Sequence, residues 1–203
     1  MAESKFEAVP GVVGMNRYAY RTHSGRMLDL SNPKPDDVCL ADIAHHLARV
    51  CRFGGAVDEY YSVASHSVYV ADIVAQRYFE TELASEARCR AALLHDATEA
   101  YLGDMVSGLK RLVPEYRVLE DLWAAAIEAR YGVSFRHDPL IKDADLRARL
   151  SECRDLFGGA YPRELLLGGE GDRQPWPPRC RVLDPDSAEW EFLAAAADLG
   201  IED

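Results

Sequence analysis

Residues 91–105 read AALLHDATEAYLGDM, and they place an imidazole beside a carboxylate directly after a run of small and apolar residues. Ser85 is a favourable N-cap before this stretch and Gly103 a favourable stop after it, which predicts one helix between them. Helical spacing puts five residues on its inward face: Ala91, Leu94, His95, Thr98 and Leu102. A buried face that carries a histidine next to Asp96 indicates a chemical role.

The rest of the chain shows similar helical periodicity, with a hairpin pattern near its start. Residues 17–30 alternate loosely around Ser24-Gly25, which predicts a short β-hairpin. The predicted fold class is all-α, a single helical bundle with this N-terminal hairpin. Apolar spacing and boundary signals predict five further helices. The first three span residues 40–52, residues 61–78 and Pro114 to Gly132. The fourth is capped by Asp138 with Pro139 in its first turn, and the last spans residues 186–199 with Asp186 and Glu189 in capping-box positions.

Three segments are expected along the chain. Residues 1–16 form an N-terminal extension, and residues 17–157 form the helical domain. Residues 158–203 combine an irregular segment rich in glycine and proline with a C-terminal helix that packs on the same domain. No internal repeat is apparent, so the sequence predicts one domain.

Composition excludes several classes of function. The 203 residues carry a net charge of −11, which argues against a nucleic-acid polymer as partner, because phosphates require lysine and arginine. No run of apolar residues is long enough for a membrane span, and the first residues do not resemble a secretory signal. Five scattered cysteines without a CxxC pair are typical of a reduced compartment. We therefore expect a cytoplasmic protein without a membrane partner.

Two further polar residues interrupt apolar helical stripes. His66 shares its stripe with Val63, Val70, Ile73 and Val74, and Asp145 shares its stripe with Ile141, Ala144 and Ala148. Alone, His66 would more often be an ordinary core histidine, and Asp145 would more often cap a helix or pair with an arginine. Together with His95 and Asp96 they would leave several polar groups buried without partners, which is costly. Two imidazoles and two carboxylates instead suit one divalent ion: Co, Mn, Fe, Zn or Mg.

Three motifs in order carry a resemblance to a known family. They are HS at residues 66–67, HDxxExxxGD at residues 95–104 and KxAD at residues 142–145. In this order and spacing they resemble the signature of the HD-domain metal-dependent phosphohydrolase superfamily, and most closely its small bacterial and phage 5′-deoxynucleotidase-like branch. The resemblance covers roughly residues 25–157. It implies an HD-domain helical bundle.

The resemblance assigns roles to the residues that match the motifs. It makes His66, His95, Asp96 and Asp145 the ligands of one metal ion, with Asp143 as the rival to Asp145. Glu99 matches an acid that orients or deprotonates the attacking water, and Asp104 matches an acid that contacts the sugar or positions the water. The alternative for Glu99 is a solvent-facing helix residue.

Substrate contacts follow from the same resemblance. Arg52 occupies the place of an arginine that binds phosphate, and Phe53 that of an aromatic residue beside the sugar. An arginine suits this task because its planar guanidinium binds phosphate oxygens in pairs. Lys110 is expected to add positive charge, and an exposed surface lysine is its alternative. Residues 106–108 replace prolines that are common in relatives, which puts base selectivity in doubt.

The implied activity is hydrolysis of deoxynucleoside 5′-monophosphates to nucleoside and phosphate. An alternative is a deoxynucleoside triphosphate triphosphohydrolase, which needs extra cations such as Arg17, Arg21, Arg26 and Lys110. A second alternative is a non-catalytic nucleotide-binding HD protein. Two-metal phosphodiesterases and di-iron oxygenases need more histidines than His137, which alone lies between Asp96 and Asp145. Dimers are frequent in this branch, which leaves a homodimer open.

Overall fold

The computed structural model describes residues 17–77, 85–158 and 173–203, which form a mostly helical structure with one small antiparallel sheet. The predicted combination of a helical fold and an N-terminal hairpin is confirmed. Among the described residues, no helix is long and apolar enough to cross a membrane. The elements are β1 (Ala19–Arg21), β2 (Met27–Asp29), α1 (Leu40–Leu47), α2 (Val63–Arg77), α3 (Glu86–Leu93), α4 (Glu99–Leu102), α5 (Ser107–Leu112), α6 (Pro114–Tyr131), α7 (Pro139–Leu156) and α8 (Pro185–Asp198).

The hairpin forms where its turn residues predict it. Tyr20 pairs with Leu28 in the antiparallel register, and the backbone N–H of Gly25 donates to the backbone carbonyl of Thr22 in the turn. Gly25 has a φ of 89°, a conformation that glycine adopts without steric cost. Leu28 is buried and joins the core, so the hairpin packs against the helices.

Helix α2 lies at the centre of the bundle and packs against α3, α7 and α8. Because neighbouring helices enclose α2 on several sides, its buried residues extend around most of the helix instead of forming one narrow face. At another side of the core, the Tyr101 and Trp123 rings stack with centroids 4.0 Å apart. The Trp123 indole N–H also donates to the Leu30 carbonyl at 3.1 Å, which ties α6 to the residue after the hairpin.

The predicted helix from Ser85 to Gly103 is wrong as one continuous element. Helix α3 ends at Leu93, and α4 begins only at Glu99. Between them, the backbone N–H of Ala97 donates to the Leu94 carbonyl, and that of Glu99 donates to the Asp96 carbonyl. Each bond reaches back three residues, as in a 3₁₀ helix, rather than four as in an α-helix. The cause lies in a side chain: the His95 ring Nδ1 lies 2.8 Å from the Ala92 carbonyl, which a continuing helix would use for the backbone of residue 96.

The end of the first helix also differs from the prediction. Helix α1 ends at Leu47 rather than near residue 52, because Val50 and Arg52 pair through their backbones with Val63 and Tyr61. The chain then makes a 3₁₀ turn at Arg52–Gly55.

The C-terminal helix has a different cap from the one that the sequence predicted. Helix α8 is capped by Asp184, which accepts hydrogen bonds from the N–H groups of Asp186 and Ser187. Asp186 and Glu189 instead pair with Arg49 at 2.7 and 2.6 Å. Because Arg49 belongs to the segment after α1, these pairs help to dock α8 against α1. The predicted extension at residues 1–16, and residues 159–172 of the predicted irregular segment, lie outside the described residues.

Asp138 caps α7 as predicted, and α7 is the helix that carries Asp145. Its carboxylate accepts from the N–H groups of Leu140 and Ile141 at 2.8 and 3.3 Å, and from Arg88 at 2.7 Å. Partial burial raises the pKa of Asp138, but these hydrogen bonds outweigh burial and hold it below its usual value. The ionised form is therefore the one that stabilises the helix.

We expect Asp138→Ala to lower the free energy of unfolding by about 1–2 kcal/mol, as for loss of an N-cap. Asp138→Asn keeps a cap acceptor but loses the charge, so its loss should be smaller. Because the folded pKa is lowered, the contribution of the charge is present above the usual carboxyl pKa of about 4 and disappears as the pH falls below it. Urea unfolding of the wild type and both variants at several pH values measures the two losses of stability and their pH dependence. Unchanged stability of Asp138→Ala would contradict the capping role.

Candidate metal centre

Three structural elements bring the predicted ligands together. His66 lies on α2, His95 and Asp96 lie in the turn between α3 and α4, and Asp145 lies on α7. One ligand atom each from His66, His95 and Asp145 lies within 4.8 Å of the other two. Asp96 joins them, because its Oδ2 is 3.3 Å from His95 Nε2 and 3.5 Å from His66 Nε2. We call these four residues the metal cluster.

The polar atoms of this cluster fit a cation. His66 Nε2, His95 Nε2 and Asp145 Oδ1 are buried, and none has a hydrogen-bond partner among the described residues. Buried polar atoms without partners are costly, and a divalent ion would bind all three at once. Two imidazoles and two carboxylates are a donor set that such ions accept. The cluster can therefore hold one divalent metal ion.

The two acids of the KxAD motif have different surroundings. Asp143 pairs with Arg147 at 2.8 Å and with Arg173 at 2.7 Å, outside the metal cluster. Asp145 Oδ2 accepts from Arg149 at 2.7 Å, and this contact leaves Oδ1 on the side of the cluster, 3.3 Å from His66 Nε2. The geometry therefore places Asp145, and not its rival, among the candidate ligands.

Glu152 is a functional candidate that the sequence analysis missed. Its carboxylate is fully buried, 2.5 Å from His66 Nδ1 and 3.1 Å from the Tyr61 hydroxyl. A carboxylate accepts hydrogen bonds, so His66 donates through Nδ1 and presents the lone pair of Nε2 to the cluster. Glu152 lies two helical turns after Asp145, and that spacing was the available signal.

Glu99 is buried beside the cluster rather than facing solvent. Only 4% of the residue is exposed, so the solvent-facing alternative is wrong. Its Oε1 lies 3.4 Å from Lys110 Nζ, and its buried Oε2 has no hydrogen-bond partner among the described residues. Burial, together with the charges of Asp96 and Asp104, raises the pKa of Glu99 well above its ordinary value. A carboxyl group in such surroundings is suited to exchange a proton.

Two cavities adjoin the metal cluster, and Asp96 lines both of them. The first, of about 500 Å³, is lined by the predicted residues Arg52, Phe53, Glu99, Asp104 and Lys110. It also contains Arg111 and Arg149, which were not predicted, and we call it the basic cavity. The second, of about 520 Å³, is lined by His95, Asp145 and residues of α6 and the start of α7. We call it the acidic cavity for its carboxylates.

Arg52 is held in the wall of the basic cavity. Its residue is 6% exposed, and its guanidinium lies 3.4 Å from Asp96 and 3.3 Å from Glu152. The same group lies 5.4 Å from the centre of the Phe53 ring, which in turn contacts Phe157 edge-on. Phe53 has a φ of 57°, which is uncommon outside glycine and is typical of functional sites.

Lys110 is also tied to acids at the cavity. Its ammonium lies 2.7 Å from Glu120 and 3.4 Å from Glu99, and the residue is partly buried. The alternative of a freely exposed surface lysine is therefore wrong. The position of Lys110 between these acids puts a positive charge next to the buried Glu99.

Two bacterial proteins are similar to this chain over most of its length, whereas no family model matches it. YfdR of Escherichia coli K12 is 39% identical over 137 residues, which cover 67% of this chain and 71% of YfdR. RCAP_rcc00048 of Rhodobacter capsulatus is 42% identical over 165 residues, which cover 78% of this chain and 80% of that protein. Neither name states an activity. The similarity extends well beyond the short motifs.

Removing the charge of Glu152 tests how His66 is oriented. We expect Glu152→Gln to weaken binding of Mn²⁺ or Co²⁺ by about 10- to 100-fold, because the partner that orients a metal-binding histidine is altered. Asp143→Asn is the matched control, since it removes an acid of the same helix that lies outside the cluster. Isothermal titration calorimetry on both variants measures the difference. Equal affinities would show that Glu152 does not support metal binding.

Proposed function

The chain belongs to the protein family of YfdR and RCAP_rcc00048, and we propose that it is an HD-domain phosphohydrolase with one divalent metal ion. Its substrates are deoxynucleoside 5′-monophosphates, which it hydrolyses to nucleoside and phosphate. The single observation that carries this proposal is the buried metal cluster with three unpartnered ligand atoms, open to a cavity rich in cations. Phosphate hydrolysis needs such a combination of metal and positive charge.

The residues around the cluster have complementary tasks in this reaction. A divalent ion held by His66, His95, Asp96 and Asp145 would supply Lewis acidity, which activates a water and polarises a phosphoryl oxygen. Glu99 takes up a proton from the attacking water, since its buried Oε2 has no other partner among the described residues. Arg52 and Lys110 provide positive charge at the wall of the basic cavity, where the phosphoryl group carries negative charge. Asp104 lines the same cavity and can position the sugar or the water.

The distribution of cations supports a monophosphate over a triphosphate. Of the four cations considered for the β- and γ-phosphates, Lys110 lines the basic cavity, whereas Arg17, Arg21 and Arg26 line neither of the two cavities. Of the two further arginines in the basic cavity, Arg149 is held by Asp145 at 2.7 Å, which leaves Arg111 as the additional cation. The non-catalytic alternative gives no reason to keep a buried carboxyl group such as Glu99, whose burial is unfavourable for its charged form.

A panel of deoxynucleoside mono- and triphosphates with Mn²⁺ or Co²⁺ tests this function, with phosphate and triphosphate resolved as products. We expect release of phosphate from monophosphates. Glu99→Gln should lower turnover by about 100-fold or more while metal binding persists, because the amide cannot accept the proton. Asp143→Asn removes an acid that lies outside the metal cluster and lines neither cavity, so its turnover should stay close to that of the wild type.

Three results would count against the proposal in different ways. A fully active Glu99→Gln variant would remove Glu99 from the proton transfer. Loss of metal in that variant would make Glu99 a ligand. A metal-loaded wild-type protein that hydrolyses none of the nucleotides would show that the proposed function is wrong.

A further inference from the structure

Helix α6 has a second apolar face on the side opposite its buried one. Its inward face is formed by five buried residues: Tyr116, Trp123, Ala124, Ala126 and Ile127. Four further apolar residues of the helix are exposed, and they are Val118, Leu122, Ala125 and Ala129. Because they follow one another at spacings of four, three and four residues, they lie on one stripe, which we call the outer stripe. The outward side of a surface helix normally carries charged and polar residues instead.

The outer stripe belongs to a part of the chain where exposed apolar residues are concentrated. Val118 is 60% exposed and Leu122 is 44% exposed. Six of the ten exposed large apolar residues in the described part of the chain lie between Val106 and Leu122. Single exposed apolar residues are ordinary on a protein surface, whereas a row of them at heptad spacing indicates contact with another helix. The outer stripe therefore has the pattern of a helix–helix interface.

A second copy of α6 complements the outer stripe when the two helices run antiparallel. With the pair centred between residues 123 and 124, Val118 faces the partner's Ala129. In the same register, Leu122 faces the partner's Ala125. Each larger side chain then lies against a small one, which fills the seam evenly. A parallel pair would set Leu122 against Leu122 and Ala125 against Ala125, and the seam would be open beside the alanines.

The charges beside the outer stripe also suit this register. Glu115 and Arg130 lie on one flank of α6, and neither forms an ion pair with another described residue. Antiparallel pairing brings Glu115 of each copy within one helical turn of the partner's Arg130, so that opposite charges meet at both ends of the seam. The other flank carries Arg117, Asp121 and Glu128, and its charges balance because Glu128 also binds Arg136 at 2.7 Å.

We propose that α6 is the interface of a homodimer, in which the outer stripes of two chains pack antiparallel about a twofold axis. Such a contact uses the same surface on both copies, as most homodimers do. A partner helix on this side explains why α6 is apolar on its outer face as well as on its inner one. The metal cluster lies on other elements, so this inference goes beyond the proposed phosphohydrolase function and does not depend on it.

The mass of the full chain in solution tests the dimer, measured by light scattering after size exclusion over a range of concentrations. We expect a wild-type dimer that dissociates on dilution. Leu122→Glu should weaken it by about 100-fold or more, because it buries an unpaired carboxylate in the seam. Trp190→Glu is the matched control, since it adds the same charge at an exposed apolar residue of α8, and it should leave the dimer unchanged. Circular dichroism checks that both variants are folded.

Two results of this measurement would overturn the proposal. The first is a wild type that stays monomeric up to about 100 μM, whether or not it binds lipid vesicles instead. The second is a folded Leu122→Glu variant that dimerises as tightly as Trp190→Glu.

A charge exchange tests the orientation of the helices and remains decisive if Leu122→Glu does not fold. Glu115→Arg and Arg130→Glu should each weaken the dimer by about tenfold, because each sets like charges against one another at both ends of the seam. An equimolar mixture of these two variants should recover the wild-type affinity, since the heterodimer again joins opposite charges at both ends.

A parallel pair gives a different result in the mixture. There Glu115 would face the partner's Arg117, and Arg130 would face the partner's Glu128, so mixing the two variants would leave like charges together. A mixture that recovers no affinity, or single variants that dimerise as tightly as the wild type, would overturn the antiparallel interface.

Discussion

The carboxylate of Glu152 is enclosed completely, and the arrangement of the site depends on the groups that bind it. An ion buried without partners is strongly unfavourable, but here Arg52, His66 and Tyr61 surround it. Burial raises its pKa, but Arg52 and His66 outweigh burial and lower it to about 2, so the group stays ionised at neutral pH. The three donors come from α2, from the residues just before it and from the 3₁₀ turn after α1. Keeping them around one carboxylate fixes these segments against α7.

The metal cluster follows from this constraint. With Nδ1 of His66 engaged by Glu152, Nε2 faces the cluster, and His95 repeats the arrangement by directing its own Nδ1 to the Ala92 carbonyl. That second contact also interrupts the helix, so that His95 and Asp96 lie in a turn. Adjacent residues on a regular helix point about 100° apart, whereas here both side chains reach the same point. The contact between His95 and the Ala92 carbonyl, which interrupts the helix, therefore also brings His95 and Asp96 to the metal cluster.

Local patterns were sufficient for much of this structure. Periodicity and boundary residues predicted the hairpin, the start of α6 at Pro114 with its stop at Gly132, and the Asp138 cap of α7. They also put His66 and Asp145 on inward stripes. These features depend on near neighbours in sequence, which a single chain displays directly.

Tertiary contacts decided the rest. The break before α4 arises from a side chain that takes a backbone acceptor, and apolar spacing does not reveal such competition. Asp186 was a plausible cap, but Arg49 binds it and Asp184 takes its place. The spacing from Asp145 could have placed Glu152 on the inward face of α7, but its partner His66 is far away in sequence, so the folded chain was needed to show their contact. The charges of the two cavities likewise come from helices that are distant in sequence.

The proposed function requires one divalent ion at the point shared by His66, His95, Asp96 and Asp145. Anomalous diffraction at the cobalt absorption edge, from crystals of the full chain grown with Co²⁺, locates such an ion directly. We expect one strong peak within coordination distance, about 2.0–2.3 Å, of both imidazole Nε2 atoms and of a carboxylate oxygen of each aspartate. A fully loaded crystal with no peak at this point, or with its peak at Asp143, would contradict it.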